Sequence, residues 1–332
     1  MKQKIVFYND PTQLNIWSHV KEKLYTSFDL ITRENITKQD QNVIALGSII
    51  QSTKILPCSI LNKKYKTVLG KQNKIDLEIL KQEIEQNELL GFHVTPKTLG
   101  IHPSLVSKEY ADYFKPYVDA YHTIDETKSA IDAVICSETS ADFMASKIQK
   151  VRADAQYNVM VLPFFTMSAS GKFNLTCFDD LLDHDFVLDK IQKYGFSDFN
   201  NLNKMPSFGW FDCVRARYLI KEYGCDGLIL TFPDFLPHHS LIKLCSSYMC
   251  GNDVIQDLDS RTNLEEMTPF YETYEGWEKD CSELSQLYDF PSAFFKLIKR
   301  IEQLVDCPVI SLITANPIDA RIDLSFPTLF RS

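Results

Sequence analysis

Short apolar runs recur along this sequence, and several segments between them have the spacing of amphipathic helices. The runs are short enough to be strands covered on both faces. They lie at residues 4–8, 131–136, 157–165, 228–230 and 308–314. Strands that alternate with helices predict an α/β fold with a largely parallel central sheet flanked by helices. No linker rich in Pro, Gly or Ser and no internal repeat interrupts the pattern, so we expect residues 1–332 to form a single domain.

Segment 206–234 shows the repeating unit most clearly, as a turn, a helix, a second turn and a strand. The predicted helix ends at Gly224, and Gly227 opens the apolar run 228–230. Asp234 follows the end of that run, after Thr-Phe-Pro. A carboxylate just past the carboxyl end of a buried strand lies where open α/β sheets bind their ligands. An ordinary turn aspartate is an equally good interpretation of the local sequence.

Other segments predict further local structure. Apolar residues at helical spacing predict amphipathic helices over 75–90 and from Pro291, the favoured first helical position, to just before Cys307. Pro163 lies inside an apolar run and indicates an edge strand or a bulge. The aromatic segment 270–277 is predicted to be rich in turns.

Charge and hydropathy argue against two classes of partner. The net charge of −9 disfavours nonspecific binding to nucleic acid or to an anionic membrane surface, because both require a basic face. No apolar run approaches the roughly 18 residues that a membrane-spanning helix needs. The opening MKQKIVFYNDP is too short and too polar for a secretory signal. We therefore expect a cytoplasmic protein.

The nine cysteines are typical of reduced core thiols, because their number is odd, no CxxC pair occurs and most lie in apolar runs. A structural zinc site needs clustered ligands at short spacing. Neither the pair Cys245 and Cys250 nor the pair His238 and His239 supplies a full set. No metal site is predicted from these residues.

Two segments that follow apolar runs bear on phosphate binding. A nucleotide-binding α/β protein would carry its phosphate loop after the run 4–8, yet the first glycine of the chain is Gly47. Without glycines, backbone N–H groups cannot approach an anion closely there. The hydroxyl cluster 137–140 follows the run 131–136 and can either bind phosphate or cap the next helix.

Three parts of the chain resemble motifs of the adenylosuccinate synthetase family. TPFYETYEGW (268–277), followed by KLIKRIEQLVDCPVISLIT (296–314), is similar to the family's P-x-Y-E-x-x-P-G-W segment and its Y-I-x-R-I-E-E-L-x-x-V-P-V helix and strand. FGWFDCVRARY (208–218) is similar to R-x-G-W-F-D-x-V-x-x-R-Y, and KILPCSILN (54–62) to L-I-P-S-G-I-L. The resemblance covers most of residues 43–100 and 130–325. It implies a shortened adenylosuccinate synthetase-like, P-loop-related fold and a homodimer.

The resemblance also implies a function and a site. The family joins aspartate to inosine monophosphate at the expense of GTP, with Mg, in purine metabolism. Asp234 matches the Asp of the family's T-K-L-D segment, which reads guanine, and Thr314 matches a Ser near that base. Thr139 and Ser140 match a Thr-Thr pair that faces the nucleotide phosphate. Arg217 matches the Arg of V-x-x-R-Y, which suggests a nucleotide contact or a structural ion pair.

The departures from the family fall on its chemistry. The G-D-E-G-K-G-K loop is replaced by YNDPTQLN, where only Asp10 can stand in for the general base. The G-H-N-A-G-H segment, which carries the general acid, has become GSIIQST (47–53) without His. Phe232 replaces the Lys of T-K-L-D, Glu138 replaces the Asn before the Thr-Thr pair, and the Arg-rich loop that clamps aspartate is NKMPSF. Losing a positioned acid or base costs about 10² to 10⁴ in rate each.

Three interpretations stay open from the sequence. The first is a pseudoenzyme that binds GTP or another purine nucleotide, with a protein partner as a further option. The second is a divergent ligase that joins an amino acid to a purine nucleotide through a rebuilt site. The third is a purely structural homodimer without a ligand.

Overall fold

The protein is described by a computed structural model. The described residues are 4–9, 30–34, 42–46, 49–56, 66–71, 73–127, 133–138, 157–168, 176, 185–186, 189–190, 207–236, 240–258, 267–279, 281, 284, 286–314 and 321–324.

Strands and helices alternate along much of the described chain, as the apolar runs predict. The strands are β1 (Lys4–Asn9), β2 (Leu30–Glu34), β3 (Asn42–Leu46), β4 (Ile49–Thr53), β5 (Lys66–Leu69), β6 (Leu99–Ile101), β7 (Ala133–Glu138), β8 (Tyr157–Pro163), β9 (Phe165–Ser168), β10 (Ser207–Asp212), β11 (Gly227–Thr231), β12 (Leu241–Cys250), β13 (Asp253–Ile255), β14 (Thr268–Glu275), β15 (Val309–Ile313) and β16 (Arg321–Asp323). The α-helices are α1 (Leu77–Leu89), α2 (Ala111–Thr127), α3 (Cys213–Tyr223) and α4 (Ser292–Val305).

A nine-stranded sheet forms the centre of the fold, in the order β16-β15-β11-β8-β1-β7-β2-β5-β6. Every pair in it is parallel except β15 with β16. The predicted α/β class with a largely parallel sheet is therefore confirmed. Strands β11 and β15 are buried along their whole length, which explains why they read as continuous apolar runs.

A second sheet packs beside the first and was not predicted. Its strands run in the order β13-β12-β10-β9, and β14 pairs with β12. The segment 207–212, predicted as a turn, is strand β10, because it pairs with both β9 and β12. The turn-rich prediction for 270–277 was also wrong, since β14 forms an antiparallel ladder with β12.

The predicted helices over 75–90, before Gly224 and after Pro291 are confirmed, with small differences at their ends. In α1, Asp76 caps the first turn by accepting N–H bonds from Glu78 and Ile79. The helix α3 ends at Gly224, whose φ of 60° is the left-handed conformation common at helix ends. Pro291 is the N-cap of α4 and not its first helical residue, so the helix begins at Ser292, one residue later than predicted.

Pro163 does not mark an edge strand or a bulge, so that prediction was wrong. Strand β8 lies inside the central sheet, between β1 and β11. Pro163 is its last residue and is aligned with Thr231 of β11. A proline at the end of a strand removes a hydrogen-bond donor where the ladder is already finishing.

The largest hydrophobic cluster joins β8, β11 and β15 to α3, α4 and the second sheet. A smaller cluster packs α1 and α2 against β5 and β6. No helix among the described residues is both long and apolar enough to pass through a membrane.

Candidate nucleotide-binding edge

The two predicted base contacts lie at the same edge of the central sheet. Strands β11 and β15 are parallel neighbours, and Thr231 is aligned with Ile313 at their carboxyl ends. The backbone N–H of Phe232 donates to the carbonyl of Ile313 at 2.7 Å, which ties the two strand ends together. Thr314 follows β15 directly, and Asp234 lies three residues beyond β11. This is the edge at which open parallel sheets bind ligands.

A tight turn carries Asp234 away from β11. Residues 233–235 form one turn of 3-10 helix, closed by N–H bonds from Phe235 to Phe232 and from Leu236 to Pro233. Phe232 precedes it with φ 59° and ψ 52°. This left-handed conformation costs an L-residue roughly 1–2 kcal/mol and is rare for a bulky side chain.

The side chains of this edge are buried. Asp234 and Thr314 are 0% exposed, and Phe232 is 3% exposed. The Phe232 ring lies edge-on to Phe235 at 5.5 Å between centroids, and Phe235 stacks on Phe165 at 5.0 Å. Phe232 therefore fills space within the protein. In this arrangement a base cannot contact the carboxylate of Asp234.

The predicted general base and the predicted phosphate contacts follow strands of the same sheet. Strand β1 lies between β7 and β8, and Asn9 at its end is aligned with Glu138 at the end of β7. Asp10 follows Asn9, and Thr139 and Ser140 follow Glu138. These three residues lie outside the described part of the chain, so their roles stay predictions.

Arg217 lies elsewhere and makes structural contacts. Its guanidinium donates to the backbone carbonyl of Leu304 through Nε at 2.5 Å and to that of Gln256 at 2.9 Å. Leu304 precedes β15, whereas Thr314 follows it, so Arg217 contacts the chain near the opposite end of that strand. Both observed partners are backbone carbonyl oxygens. These contacts favour a structural role for Arg217 over a contact to a nucleotide.

A buried carboxylate missed by the site prediction lies in the segment that resembles the family's G-W-F-D. Asp212 caps α3 by accepting the N–H of Arg215 at 2.9 Å and also accepts the hydroxyl proton of Tyr248. Burial raises the pKa of Asp212, and these two hydrogen bonds partly oppose the rise. An Asp before a helix is an N-cap signal, so the sequence did carry a cue.

A small cavity lies under the start of α3. Its volume is about 10 Å³, which is close to the lower limit for one water molecule. Asp212, Arg215 and Thr166 contribute to its lining, and the remaining lining residues are Leu162, Phe211, Ala216 and Leu219. It is far too small for a nucleotide or an amino acid.

A polar contact fixes an otherwise distant residue against β10. Thr176 accepts the N–H of Trp210 through its carbonyl at 2.9 Å, and its hydroxyl lies 2.8 Å from that of Thr166. Gly209 makes this approach possible, because a Cβ at this position would lie 2.1 Å from the Thr176 carbonyl oxygen. Nothing in the local sequence signals this contact.

Among the residues that the structure describes, no group of three or more His, Cys, Asp or Glu side chains could hold a metal ion.

Comparisons with known proteins agree on one family. The family model described as adenylosuccinate synthetase matches residues 134–320. The adenylosuccinate synthetases of Pelobacter propionicus and Geobacter sulfurreducens are each 29% identical to this chain, over 167 and 165 residues. These alignments cover 50% and 49% of this chain but only 37% of each relative.

Two solved structures share the fold over nearly the whole chain. Fully ligated adenylosuccinate synthetase from Plasmodium falciparum has a TM-score of 0.73 at 15% identity, covering 96% of this chain and 100% of that one. Succinoaminodeoxyadenylate synthetase of cyanophage S-2L, bound to dGMP and dATP, has a TM-score of 0.52 at 12% identity, covering 99% and 97%.

The parallel sheet and the polar residues after β11 and β15 define an α/β protein whose candidate ligand site is the carboxyl edge of the sheet. The family model matches more than half of the chain, and the chain belongs to the adenylosuccinate synthetase family.

Proposed function

We propose that this protein binds a purine nucleotide at the carboxyl edge of β11 and β15, with Asp234 as the contact to the base. The observation that carries the proposal is the adjacency of these strands, which brings Asp234 and Thr314 to one edge. An ionised carboxylate only accepts hydrogen bonds, and guanine presents two neighbouring donors, N1–H and the N2 amine. The site therefore favours guanine over adenine.

We further propose that the family's ligation of aspartate to inosine monophosphate is lost or altered. The base-reading part of a GTP site fits Asp234 and Thr314, whereas the segment after β1 lacks the glycines and lysine that would hold phosphates and Mg. Two missing proton-transfer groups at about 10² to 10⁴ each leave too little rate for the ordinary reaction. The residues do not fit the whole of GTP with Mg.

A divergent ligase is the second candidate. The fold likeness to a phage enzyme whose structure holds dGMP and dATP supports testing deoxynucleotides as well as GTP. Such an enzyme would join an amino acid to a purine nucleotide with groups other than those of the family motifs. A non-catalytic scaffold, with a protein partner or as a homodimer, is the third candidate. The complete burial of Asp234 and Thr314 supports it.

Thermal unfolding with added nucleotides tests the binding proposal. The ligands are GTP, ATP, IMP, dGMP and dATP, each with Mg. A ligand at 100 times its dissociation constant adds about 2.7 kcal/mol of stability. Asp234→Ala should abolish any preference for guanine over adenine, whereas Asp253→Ala, at an exposed position of β13, should leave it unchanged. The absence of a shift with all five ligands would refute nucleotide binding.

Further assays separate the three candidates. Phosphate release that depends on both an amino acid and a purine monophosphate would establish the divergent ligase, and binding without release would establish the pseudoenzyme. Sedimentation equilibrium over a range of concentrations tests the predicted homodimer. Cytoplasmic location and the single-domain division stay predictions, the latter testable by whether unfolding shows one cooperative transition.

A further inference from the structure

We propose that the base-binding edge is closed in the ligand-free protein by its own turn, residues 232–236, and that nucleotide binds only after this turn opens. The closed turn is inferred from burial and backbone geometry alone. Its effect on nucleotide binding rests on the proposed function.

Burial of the turn is complete. Thr231, Phe232, Pro233, Asp234, Phe235 and Leu236 are all buried, and Thr314 on the neighbouring strand is 0% exposed. A base needs the carboxylate edge of Asp234, and that edge is covered by protein. Binding and the present arrangement therefore exclude each other.

Aromatic packing holds the turn in place. The ring of Phe232 is edge-on to Phe235, which stacks on Phe165 in β9 at an interplanar angle of 27°. Such ring pairs stabilise the packed arrangement beyond the area that they bury. One backbone bond, from the N–H of Phe232 to the carbonyl of Ile313, anchors the start of the turn.

The left-handed backbone of Phe232 opposes this packing. Its φ of 59° is a strained conformation for an L-residue, and opening relieves that strain when the residue returns to an ordinary conformation. Burial of Phe232, Phe235 and Leu236 adds to the packing that favours closure, so the open arrangement is the minor one. An open population of at most about 10% lowers the apparent nucleotide affinity about tenfold or more.

Carboxyl labelling with a carbodiimide and glycine ethyl ester, read by mass spectrometry, tests the closed state without any nucleotide. With at most about 10% open, Asp234 should react at least about 10-fold more slowly than the exposed Asp253. Equal rates at the two carboxylates in the folded wild-type protein would overturn the proposal.

Two substitutions at Phe232 separate ring packing from backbone strain. Phe232→Ala removes the ring but keeps the left-handed penalty, so Asp234 should label faster than in the wild type. Phe232→Gly removes both, and its labelling should increase less, because glycine adopts φ > 0 without steric cost. Asp306, the other described non-glycine residue at positive φ, is the control: Asp306→Ala and Asp306→Gly should leave Asp234 labelling unchanged. Unchanged labelling in folded Phe232→Ala would refute a role for the ring.

Binding kinetics distinguish failure of this inference from failure of the proposed function. If GTP binds, the stopped-flow rate should level off with ligand concentration at the opening rate, and Phe232→Ala should raise that limit. A rate that rises linearly to the highest concentration would contradict the closed edge. If Asp234 is protected but no nucleotide binds to any variant, the closed turn stands and the proposed function fails.

Discussion

Gly209→Ala tests how strongly the second sheet holds the Thr176 contact. The added Cβ would lie 2.1 Å from the Thr176 carbonyl oxygen, 2.5 Å from its carbonyl carbon and 2.7 Å from Thr166 Oγ1. Two of these three atoms are backbone, so a rotamer change cannot relieve the overlap. The substitution should therefore push residue 176 off β10.

The cost follows from the hydrogen bonds that would be lost. Trp210 would lose its N–H bond to the Thr176 carbonyl at 2.9 Å, and Thr176 would lose its hydroxyl contacts to Thr166 at 2.8 Å and to the Trp210 carbonyl at 2.9 Å. At about 0.5–1.5 kcal/mol each, three such bonds amount to roughly 1.5–4.5 kcal/mol of unfolding free energy. A Trp210 N–H left buried without a partner would add to this.

Urea denaturation measures the effect, with Gly227→Ala as a matched control. At Gly227 the added Cβ would meet only side-chain atoms of Ile310, the nearest at 3.0 Å, which can shift by a few tenths of an ångström. We expect a clearly lower midpoint for Gly209→Ala, with Gly227→Ala closer to the wild type. A Gly209→Ala protein within about 0.5 kcal/mol of the wild type would show that the contact with Thr176 is not as the structure has it.

Three further predictions concern buried polar groups. Burial raises the pKa of Asp212 above the unfolded value of 3.8, so its contribution to stability should fall as pH rises from 3.8 through the folded pKa. Asp212→Asn should remove this pH dependence from urea midpoints measured over a range of pH. An unchanged slope would refute the assignment to Asp212. Glu83 accepts the backbone N–H groups of Lys54, Ile55 and Leu56. Glu83→Gln has one acceptor oxygen fewer and should lower the unfolding free energy by about 1.5–3 kcal/mol in the same assay. An effect within the error of the measurement would count against these hydrogen bonds. Arg217→Lys should lower the melting temperature without changing any nucleotide-induced shift, and a smaller shift in the variant would instead return Arg217 to the nucleotide site.

Part of the central sheet could be predicted, most clearly the two strands that are buried on both faces. Strands β11 and β15 read as continuous apolar runs, and the glycines at 224 and 227 mark the boundaries between helix and strand. The second sheet could not be predicted in the same way. In β14 exposed and half-buried residues are mixed, and its ladder with β12 decides its structure. Tertiary pairing of this kind outweighs local propensity in strands.

The candidate site was also only partly predictable from the sequence. The position of Asp234 after β11 follows from local patterning and the sheet rule. Its burial could not be predicted, because the turn that carries it packs through Phe235 on Phe165, which lies on an element far away in the sequence. The left-handed Phe232 had no cue either, because positive φ is usually signalled by Gly or Asn.

Under the proposed function, the residue at position 232 links a departure from the family's T-K-L-D segment to the closed edge. A lysine there, as in the family's T-K-L-D segment, would need water or a charged partner for its ammonium group, which opposes complete burial of the turn. Phenylalanine has no such requirement and gains from packing on Phe235. Under the proposed function, the replacement would remove a contact to the base and at the same time stabilise the arrangement that hides Asp234. Both effects would reduce nucleotide affinity, so restoring the cation with Phe232→Lys should tighten guanine-nucleotide binding by more than the single added contact would supply.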